Sequence, residues 1–158
     1  FLFQEKEGER RLNMDAIAQY PEIEVCDYQN IKNGKDITLE NGKTIANTEL
    51  TFEPHRPQSY AYCSDTVYLE DLATEIRGTR VIYHESTFLK INEELAARTM
   101  HATAYQAGLV AKNAQAEALI LGHYSSRYPD VNMFKQEAQE VFKNVFLAED
   151  GKKFVFEN

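Results

Sequence analysis

Short apolar runs divide the second half of the chain into alternating strands and helices. Each predicted strand is a brief run rich in β-branched, aromatic or aliphatic side chains and is bounded by polar residues. The predicted strands are 59–63, 79–83 and 118–121. The predicted helices are 68–76, 92–98 and 103–114. Strands that alternate with helices are typical of an α/β fold with a layered sheet.

The last part of the chain continues this pattern. A predicted helix at 131–144 carries one apolar stripe, and this stripe predicts that the helix packs on a sheet. The stripe consists of Phe134, Ala138, Val141, Phe142 and Val145. Final strands are predicted at 145–147 and 153–156.

The helix predicted at 103–114 has a well-marked beginning. Thr103 and Gln106 form a capping-box pattern, which starts the helix at Thr103 and places His101 just outside its N-terminus. One side of this helix carries only small residues, which allow another element to pack closely. These residues are Ala104, Ala107, Gly108 and Ala111.

The first third of the chain is less regular. We predict a short helix at 14–20, stopped by Pro21, and a hairpin whose strands, 37–39 and 43–45, flank an Asn-Gly turn. Residues 53–58 contain two prolines and are predicted to form an extended loop. The chain begins with Phe1 rather than Met, in a segment that reads like a strand entered midway, so we expect a cut N-terminus.

Composition narrows the class of protein. The 158 residues are 43% hydrophobic and 27% charged, which suits a single globular domain over 1–158. The longest apolar runs are far shorter than the ~20 residues of a membrane helix, and no signal peptide precedes them. We therefore expect a cytoplasmic protein with no membrane partner.

Charge and cysteine content refine this expectation. The formal net charge is −8, whereas modules dedicated to nucleic-acid binding usually carry a basic excess. Either the chain does not bind nucleic acid, or its basic surface is local or supplied elsewhere. Cys26 and Cys63 form no Cys-x-x-Cys pair, so we expect two reduced, buried thiols rather than a zinc or redox motif.

Polar side chains follow the ends of three predicted strands. Asp65 follows the first, the pair His84 and Glu85 follows the second, and His123 follows the third. Ligand sites in α/β sheets lie beyond the carboxyl ends of the strands, so these groups are expected to converge at one edge.

The converging groups suit metal-assisted phosphate chemistry. Asp65 and His123 are competent ligands for zinc or manganese, and a carboxylate can bridge two cations. Two such metals, about 3.5–4 Å apart, activate water and neutralise a phosphoryl group. His101 lies near a helix N-terminus, where anions are favoured, and Arg127 could clamp a phosphate.

Each of these residues also has a purely structural interpretation. Asp65 could cap a turn, His123 could hydrogen-bond a loop, and Glu85 could be a surface or capping carboxylate. Asp65 and His123 supply two ligands, whereas a catalytic zinc takes at least three from protein. The chain by itself therefore does not contain a complete metal site.

The remaining candidates have structural alternatives as well. His84 could be a satisfied structural histidine, and Arg127 with Tyr128 could anchor a loop. His55 lies between two prolines and is expected to be plain loop.

Four motifs in this order resemble the C-terminal half of ribonuclease Z, the tRNA 3′-processing endonuclease of the metallo-β-lactamase superfamily. Ser64-Asp65-Thr66 resembles the family's Gly-Asp-Thr, and His84-Glu85-Ser86-Thr87 resembles its His-Glu-Ala-Thr. His101-Ala102-Thr103-Ala104 resembles His-Ser-Thr-Ala, and the segment from Leu121 to Tyr128 resembles the one whose His completes a zinc site. The similarity covers nearly the whole chain.

The resemblance implies the C-terminal half of an αββα sandwich. The family's His-x-His-x-Asp-His motif, which supplies most of the zinc ligands, does not occur in this chain. The resemblance therefore implies a partial metallo-β-lactamase-like domain whose N-terminal, metal-binding half is absent, and an isolated chain that is inactive.

The resemblance also assigns roles to the candidates. The whole enzyme would mature the 3′ end of precursor tRNA through attack of a metal hydroxide on a phosphodiester, with two zinc ions. Asp65 would bridge the metals and His123 would hold one. His101 would assist catalysis at the scissile phosphate, with Glu85 orienting it. A homodimer is expected.

Two alternatives stay open at this point. One is another hydrolase of the metallo-β-lactamase fold that acts on small phosphodiesters. The other is a non-catalytic interaction or oligomerisation fragment, because half a sandwich exposes an apolar sheet face.

Overall fold

The structure is a computed structural model that describes residues 1–156. Its strands, in chain order, are β1 (Leu2–Gln4), β2 (Arg11–Leu12), β3 (Ile37–Thr38), β4 (Thr44–Ile45), β5 (Thr51–Phe52), β6 (Ser59–Cys63), β7 (Val81–Glu85), β8 (Ala118–Gly122) and β9 (Val145–Leu147). Its α-helices are α1 (Met14–Ile17), α2 (Tyr28–Lys32), α3 (Asn47–Leu50), α4 (Leu72–Glu75), α5 (Glu93–Arg98), α6 (Ala104–Asn113) and α7 (Asn132–Gln139).

The chain forms two compact units. One contains residues 1–4 and those from Gln58 onward, and the other contains residues 5–57. The first unit carries a five-stranded sheet in the order β1-β6-β7-β8-β9. Strands β6 to β9 are parallel, and β1 pairs antiparallel with β6. The carboxyl ends of β6, β7 and β8 therefore meet at one edge, as the sequence predicts.

One face of this sheet packs on helices. Its core combines sheet residues such as Ile82 and Leu119 with Val110 of α6 and Phe134 of α7, all of them buried. A Cβ atom on Gly108 would lie 2.7 Å from Cγ2 of Val141 and 2.9 Å from the Ala138 carbonyl oxygen. The small side of α6 thus lets α7 approach closely, which confirms the packing predicted from the sequence.

Aromatic side chains line the other face of the sheet. Phe3 stacks on Tyr60 with 6.2 Å between ring centroids, and Tyr62 stacks on Tyr83 at 4.9 Å. At the far side, Phe146 packs against two later aromatic rings, Phe154 and Phe156. Phe3 is 59% exposed and Tyr62 is 38% exposed, so this face keeps accessible apolar surface.

The second unit has a small core of its own. Buried side chains from α1, α2, α3 and the β3–β4 hairpin form it: Ile17, Ile31, Leu39, Ile45 and Leu50. The buried Asn47 amide donates to the carbonyl oxygens of Ile31 and Lys35, and it joins the hairpin side of the unit to α2. The hairpin turns at Gly42, whose φ of 83° suits a residue without Cβ.

Several predicted elements match the structure. Strand β6 spans the predicted 59–63, the hairpin forms around residues 40–42, and residues 53–58 have no regular structure. Thr103 caps α6 with the predicted box, since its hydroxyl accepts from the Gln106 amide while the Gln106 side chain accepts from the Thr103 amide.

Other predicted elements need correction. Strand β7 runs two residues beyond the predicted 79–83, so His84 and Glu85 lie inside a strand rather than after it. The predicted helix 131–144 ends at Gln139, because the chain must reverse before entering β9 at Val145. The predicted helix 68–76 shrinks to the single turn of α4.

The end of the chain and one cysteine also differ from prediction. No strand forms at 153–156; Phe154 and Phe156 instead pack edge-on against Phe146. Both cysteines are free thiols, but Cys26 is exposed and only Cys63 is buried as predicted. Over the described residues, we find no helix with the length and apolar character that crossing a membrane requires.

Candidate metal centre

Three predicted site residues meet at the carboxyl edge of the sheet. Nε2 of His123, which follows β8, lies 3.2 Å from Oδ1 of Asp65, which follows β6. His101 joins them from the turn before α6, and one potential ligand atom from each residue lies within 4.8 Å of the others. All three side chains are at least partly open to solvent, so a ligand can reach them.

The backbone at this cluster is unusual. Asp65 has φ of 47° and His123 has φ of 61°, both in the left-handed region that non-glycine residues seldom occupy. Met100, directly before His101, has φ of 61° as well. Such conformations cost roughly 1–3 kcal/mol each and persist where surrounding contacts enforce them, often at functional sites. The sequence carried no sign of this strain.

A buried carboxylate lies beneath the cluster. Glu85, at the end of β7, is fully buried, and each of its oxygens takes part in two hydrogen bonds. Oε1 accepts from the Thr66 amide at 3.1 Å and lies 2.7 Å from Nδ1 of His101. Oε2 accepts from the Thr87 amide at 3.0 Å and from the Thr87 hydroxyl at 2.7 Å. Glu85 therefore joins the ends of β6 and β7 to His101.

Thr87 is a member of the site that sequence reasoning passed over. Its hydroxyl oxygen lies 2.8 Å from Nδ1 of His123 and 3.3 Å from Nδ1 of His101. Both imidazole rings are thus tied to the residues that follow β7. The only available signal was its place in the His84-Glu85-Ser86-Thr87 motif, which by itself does not say where the hydroxyl points.

Backbone pairing fixes the turns that carry the two histidines. The amide of Phe88 donates to the Ala102 carbonyl, and the amide of Ala104 donates back to the Phe88 carbonyl, so the segment around His101 is held beside the extension of β7. The amide of Ser125 donates to the Thr87 carbonyl at 3.1 Å, which ties the turn after β8 to the same extension.

Gly122 allows an aromatic ring to lie close against the end of β8. A Cβ atom there would lie 2.3 Å from the hydroxyl oxygen of Tyr83 and 2.7 Å from its ring carbons Cε2 and Cζ. The absence of a side chain lets the Tyr83 ring cross the strand directly before His123.

Arg127 lies beside the cluster and is not among its three ligand candidates. Its guanidinium carbon sits 5.5 Å from the centroid of the Phe88 ring, and the same ring lies 6.2 Å from the imidazole of His101. Next to it, the Tyr128 hydroxyl accepts from the Leu89 amide and donates to Asn92. Tyr128 therefore anchors this loop, while the Arg127 side chain stays exposed.

His84 does not join the cluster. Successive side chains of a strand point to opposite faces, so His84 and Glu85 diverge. His84 is fully buried, with Nδ1 2.7 Å from the Glu85 carbonyl oxygen and Nε2 without a hydrogen-bond partner. Burial lowers the pKa of His84, because a charged imidazole is poorly solvated there. The predicted convergence thus holds for Glu85 and fails for His84.

The donor atoms present fit part of a zinc site. Around a tetrahedral zinc with bonds of ~2.0–2.1 Å, two ligand atoms lie about 3.3 Å apart. The observed separation of Nε2 of His123 from Oδ1 of Asp65 is 3.2 Å. One carboxylate and one or two imidazoles are suitable zinc ligands, but a second zinc would need ligands beyond this set.

This fold belongs to a known structural class. The chain is similar to the solved metallo-β-lactamase fold protein YhfI from Bacillus subtilis, with 25% identity and a TM-score of 0.57 over 63% of this chain and 40% of that one. It is an α/β protein with a mixed sheet that matches part of the metallo-β-lactamase fold, which confirms the predicted fold class.

Sequence similarity then narrows the class to one family. The chain is 41% identical over 158 residues to Ribonuclease Z of Phocaeicola vulgatus, and the match covers all of this chain and 51% of the relative. It is 26% identical to a long form RNase Z from yeast, with a TM-score of 0.54 over 61% of this chain and 13% of that one. The chain is a ribonuclease Z homologue.

The match covers only part of each relative. The chain spans about half the length of the curated relatives it matches. No protein-family model matches the chain.

Proposed function

We propose that this chain provides part of the active site of a zinc-dependent endoribonuclease that matures the 3′ end of precursor tRNA. The observation that carries the proposal is the cluster of Asp65, His101 and His123 above the buried carboxylate of Glu85. Homology to ribonuclease Z supports the reaction class. We further propose that the chain is the C-terminal half of an αββα sandwich and that the other half supplies the remaining metal ligands.

Asp65 and His123 are the proposed metal ligands of this half. Their donor atoms lie at the separation that a shared zinc requires, and both residues project from turns beyond parallel strands. Zinc bound there supplies positive charge to a phosphodiester and makes water more acidic. Both residues adopt left-handed backbone in the turns that carry them.

His101 is the proposed catalytic histidine. With Nδ1 held 2.7 Å from the Glu85 carboxylate, the other ring nitrogen is left for substrate. The contact with Glu85 fixes the orientation of the ring, so that its other nitrogen can hydrogen-bond the phosphate or the departing oxygen. Glu85 does not touch substrate in this scheme; it acts by orienting and polarising His101.

Arg127 is proposed to bind a phosphate of the substrate. Its exposed guanidinium lies over the Phe88 ring, and the same ring packs against the imidazole of His101. Stacking leaves the guanidinium edges available for a bidentate contact with phosphate oxygens. The net charge of −8 belongs to this chain alone and is compatible with RNA binding through local cations and bound metal.

By itself, the chain is proposed to be inactive as a nuclease and prone to self-association. Within residues 1–156 it supplies too few ligands for two metals, and Phe3 and Tyr62 stay exposed on the aromatic face of the sheet. Exposed apolar surface of this kind favours association with a partner of matching chemistry. The homodimer and the cytoplasmic location expected from the sequence stay predictions.

A cleavage assay on the full-length protein that contains this chain tests the proposal. The substrates are a precursor tRNA with a 3′ trailer and a small phosphodiester. We expect cleavage of the precursor after the discriminator region, and a loss of about 10²–10⁴-fold in kcat for His101→Ala. His55→Ala, which changes an exposed histidine of the 53–58 loop, is the matched control and should leave cleavage unchanged. Activity on the small phosphodiester alone would contradict a tRNA substrate.

Metal and fragment controls complete this experiment. Chelation followed by zinc should abolish and then restore cleavage, whereas Asp65→Ala should weaken zinc binding and Asp150→Ala should not. Residues 1–158 assayed alone should show negligible cleavage. Robust zinc-dependent cleavage by the isolated chain would overturn the proposed need for another half.

A further inference from the structure

The hydrogen bonds around Thr87 leave little freedom for the protons of this site. Glu85 is fully buried, and the backbone amides of Thr66 and Thr87 donate one hydrogen bond to each of its oxygens. Oε1 also lies 2.7 Å from Nδ1 of His101, so both oxygens already act as acceptors in this network. The Thr87 hydroxyl, 2.7 Å from Oε2, must therefore direct its only proton at Glu85.

That assignment decides which nitrogen of His123 carries hydrogen. Having donated its proton, the Thr87 oxygen can only accept, and Nδ1 of His123 lies 2.8 Å away. Nδ1 must then be the protonated nitrogen. The reverse arrangement, in which Thr87 donates to a bare Nδ1, would leave two oxygen lone pairs facing each other at 2.7 Å between Thr87 and Glu85. Both Glu85 and Thr87 are buried, so water cannot relieve that repulsion.

The consequence appears on the other side of the ring. With hydrogen on Nδ1, Nε2 of neutral His123 presents a lone pair to Oδ1 of Asp65 at 3.2 Å. Two acceptors at this distance favour a cation between them. A metal-binding histidine commonly has its ring orientation and tautomer set by a hydrogen bond from its other nitrogen.

We propose that Thr87 is the positioning residue that holds His123 in its Nδ1–H tautomer. The Thr87 hydroxyl donates its proton to Glu85, and its oxygen therefore accepts a hydrogen bond from the His123 ring. Glu85 thereby orients two histidines, His101 by direct contact and His123 through Thr87. The role of this tautomer in metal binding rests on the proposed function. The tautomer itself follows from hydrogen bonds within this chain.

Imidazole ¹⁵N NMR on the metal-free chain, at a pH where histidines are neutral, tests the tautomer directly. The His123 signals are identified by their absence from His123→Asn. We expect a protonated Nδ1 and a bare Nε2 in the parent chain and in Thr87→Ser, which keeps the hydroxyl. In Thr87→Val the preference should be lost, with hydrogen moving to Nε2, where Asp65 can accept it.

A matched control separates this effect from a general loss of stability. Thr51 is also buried, and its hydroxyl donates to the Asn47 carbonyl at 2.8 Å without touching any histidine. Thr51→Val should lower stability and leave the His123 tautomer unchanged. A bare Nδ1 in the parent chain, or an unchanged tautomer in folded Thr87→Val, would overturn the proposal. If the valine variant does not fold, the measurement on the parent chain can still overturn the proposal, because a bare Nδ1 there contradicts it.

Zinc titration of the full-length protein distinguishes this proposal from the proposed function. Loss of a residue that orients a metal ligand typically weakens metal binding by about 10–100-fold. We expect that loss for Thr87→Val and a change of less than about 3-fold for Thr87→Ser. If the protein binds no zinc while the tautomer follows Thr87 as expected, the proposed function fails and the role of Thr87 stands. If zinc binds and Thr87→Val binds it as tightly as the parent, Thr87 does not position the ligand.

Discussion

Replacing Glu85 by glutamine tests whether a buried charge holds the candidate site together. Glutamine keeps the shape of glutamate but turns one acceptor oxygen into an amide donor. Each carboxylate oxygen of Glu85 accepts one backbone amide, that of Thr66 or that of Thr87. Whichever way the new amide turns, its NH₂ group must face one of these backbone N–H groups. Two donors then oppose each other, because a backbone N–H cannot accept a hydrogen bond.

The cost follows from the number of bonds lost. One hydrogen bond to a charged acceptor contributes ~1.5–3 kcal/mol, and a buried donor left without a partner costs ~1–3 kcal/mol. Removing the buried charge itself offsets part of this loss. We therefore expect Glu85→Gln to lower the free energy of unfolding by about 3 kcal/mol, which corresponds to roughly a 100-fold larger unfolded fraction.

Urea unfolding at neutral pH, followed by circular dichroism, measures this change. The dependence on urea should keep its slope in the variant, so that a shifted midpoint reports stability alone. Glu140→Gln removes an exposed carboxylate and is the control, with an expected change within about 0.5 kcal/mol. If the free energy of unfolding of Glu85→Gln stays within about 0.5 kcal/mol of the parent value, or exceeds it, the charge of Glu85 does not hold these turns together.

Three further predictions address the surroundings of the site. Gly122→Ala should lower stability by ~1–3 kcal/mol, because the new methyl group overpacks against the Tyr83 ring. In a double-mutant cycle, Tyr83→Leu should remove most of that cost, whereas additive effects would contradict the clash. Burial lowers the pKa of His84 below its usual 6.5, so protonation of this ring opposes folding. Stability should therefore fall as the pH drops below 6.5, and it should fall less steeply in His84→Gln. Equal pH profiles of the two proteins would contradict this. A thiol reagent should modify the exposed Cys26 rapidly and Cys63 only slowly, since burial both shields Cys63 and raises its pKa; equal rates in the folded chain would contradict the structure.

The order of the elements could be predicted because it depends on local patterns. The strand at 59–63 is a short apolar run with turn residues on both sides, and the hairpin follows from Asn-Gly. The capping box at Thr103 fixes the start of α6 through contacts within four residues. The ends of β7 and α7 could not be placed in this way, because pairing with β8 extends the strand and entry into β9 ends the helix.

The site was only partly accessible to the same reasoning. Asp65, Glu85 and His123 could be grouped because parallel strands present their carboxyl ends at one edge. His84 was grouped with them wrongly, since extending β7 by two residues sends consecutive side chains to opposite faces of the sheet.

Local patterns along the chain are enough to predict the α/β class, the succession of strands and helices, and the edge where polar groups collect. These depend on hydrophobic periodicity and on the direction of parallel strands, which are properties of short segments. Three other features arise from tertiary packing: Glu85 is buried beneath two histidines, Thr87 links it to His123, and Asp65 and His123 adopt left-handed backbone. Thr87 and His123 are 36 residues apart, so no local pattern encodes their hydrogen bond. It exists because strands β7 and β8 lie side by side, and because two turns held by backbone hydrogen bonds bring a hydroxyl and an imidazole within reach of one buried charge.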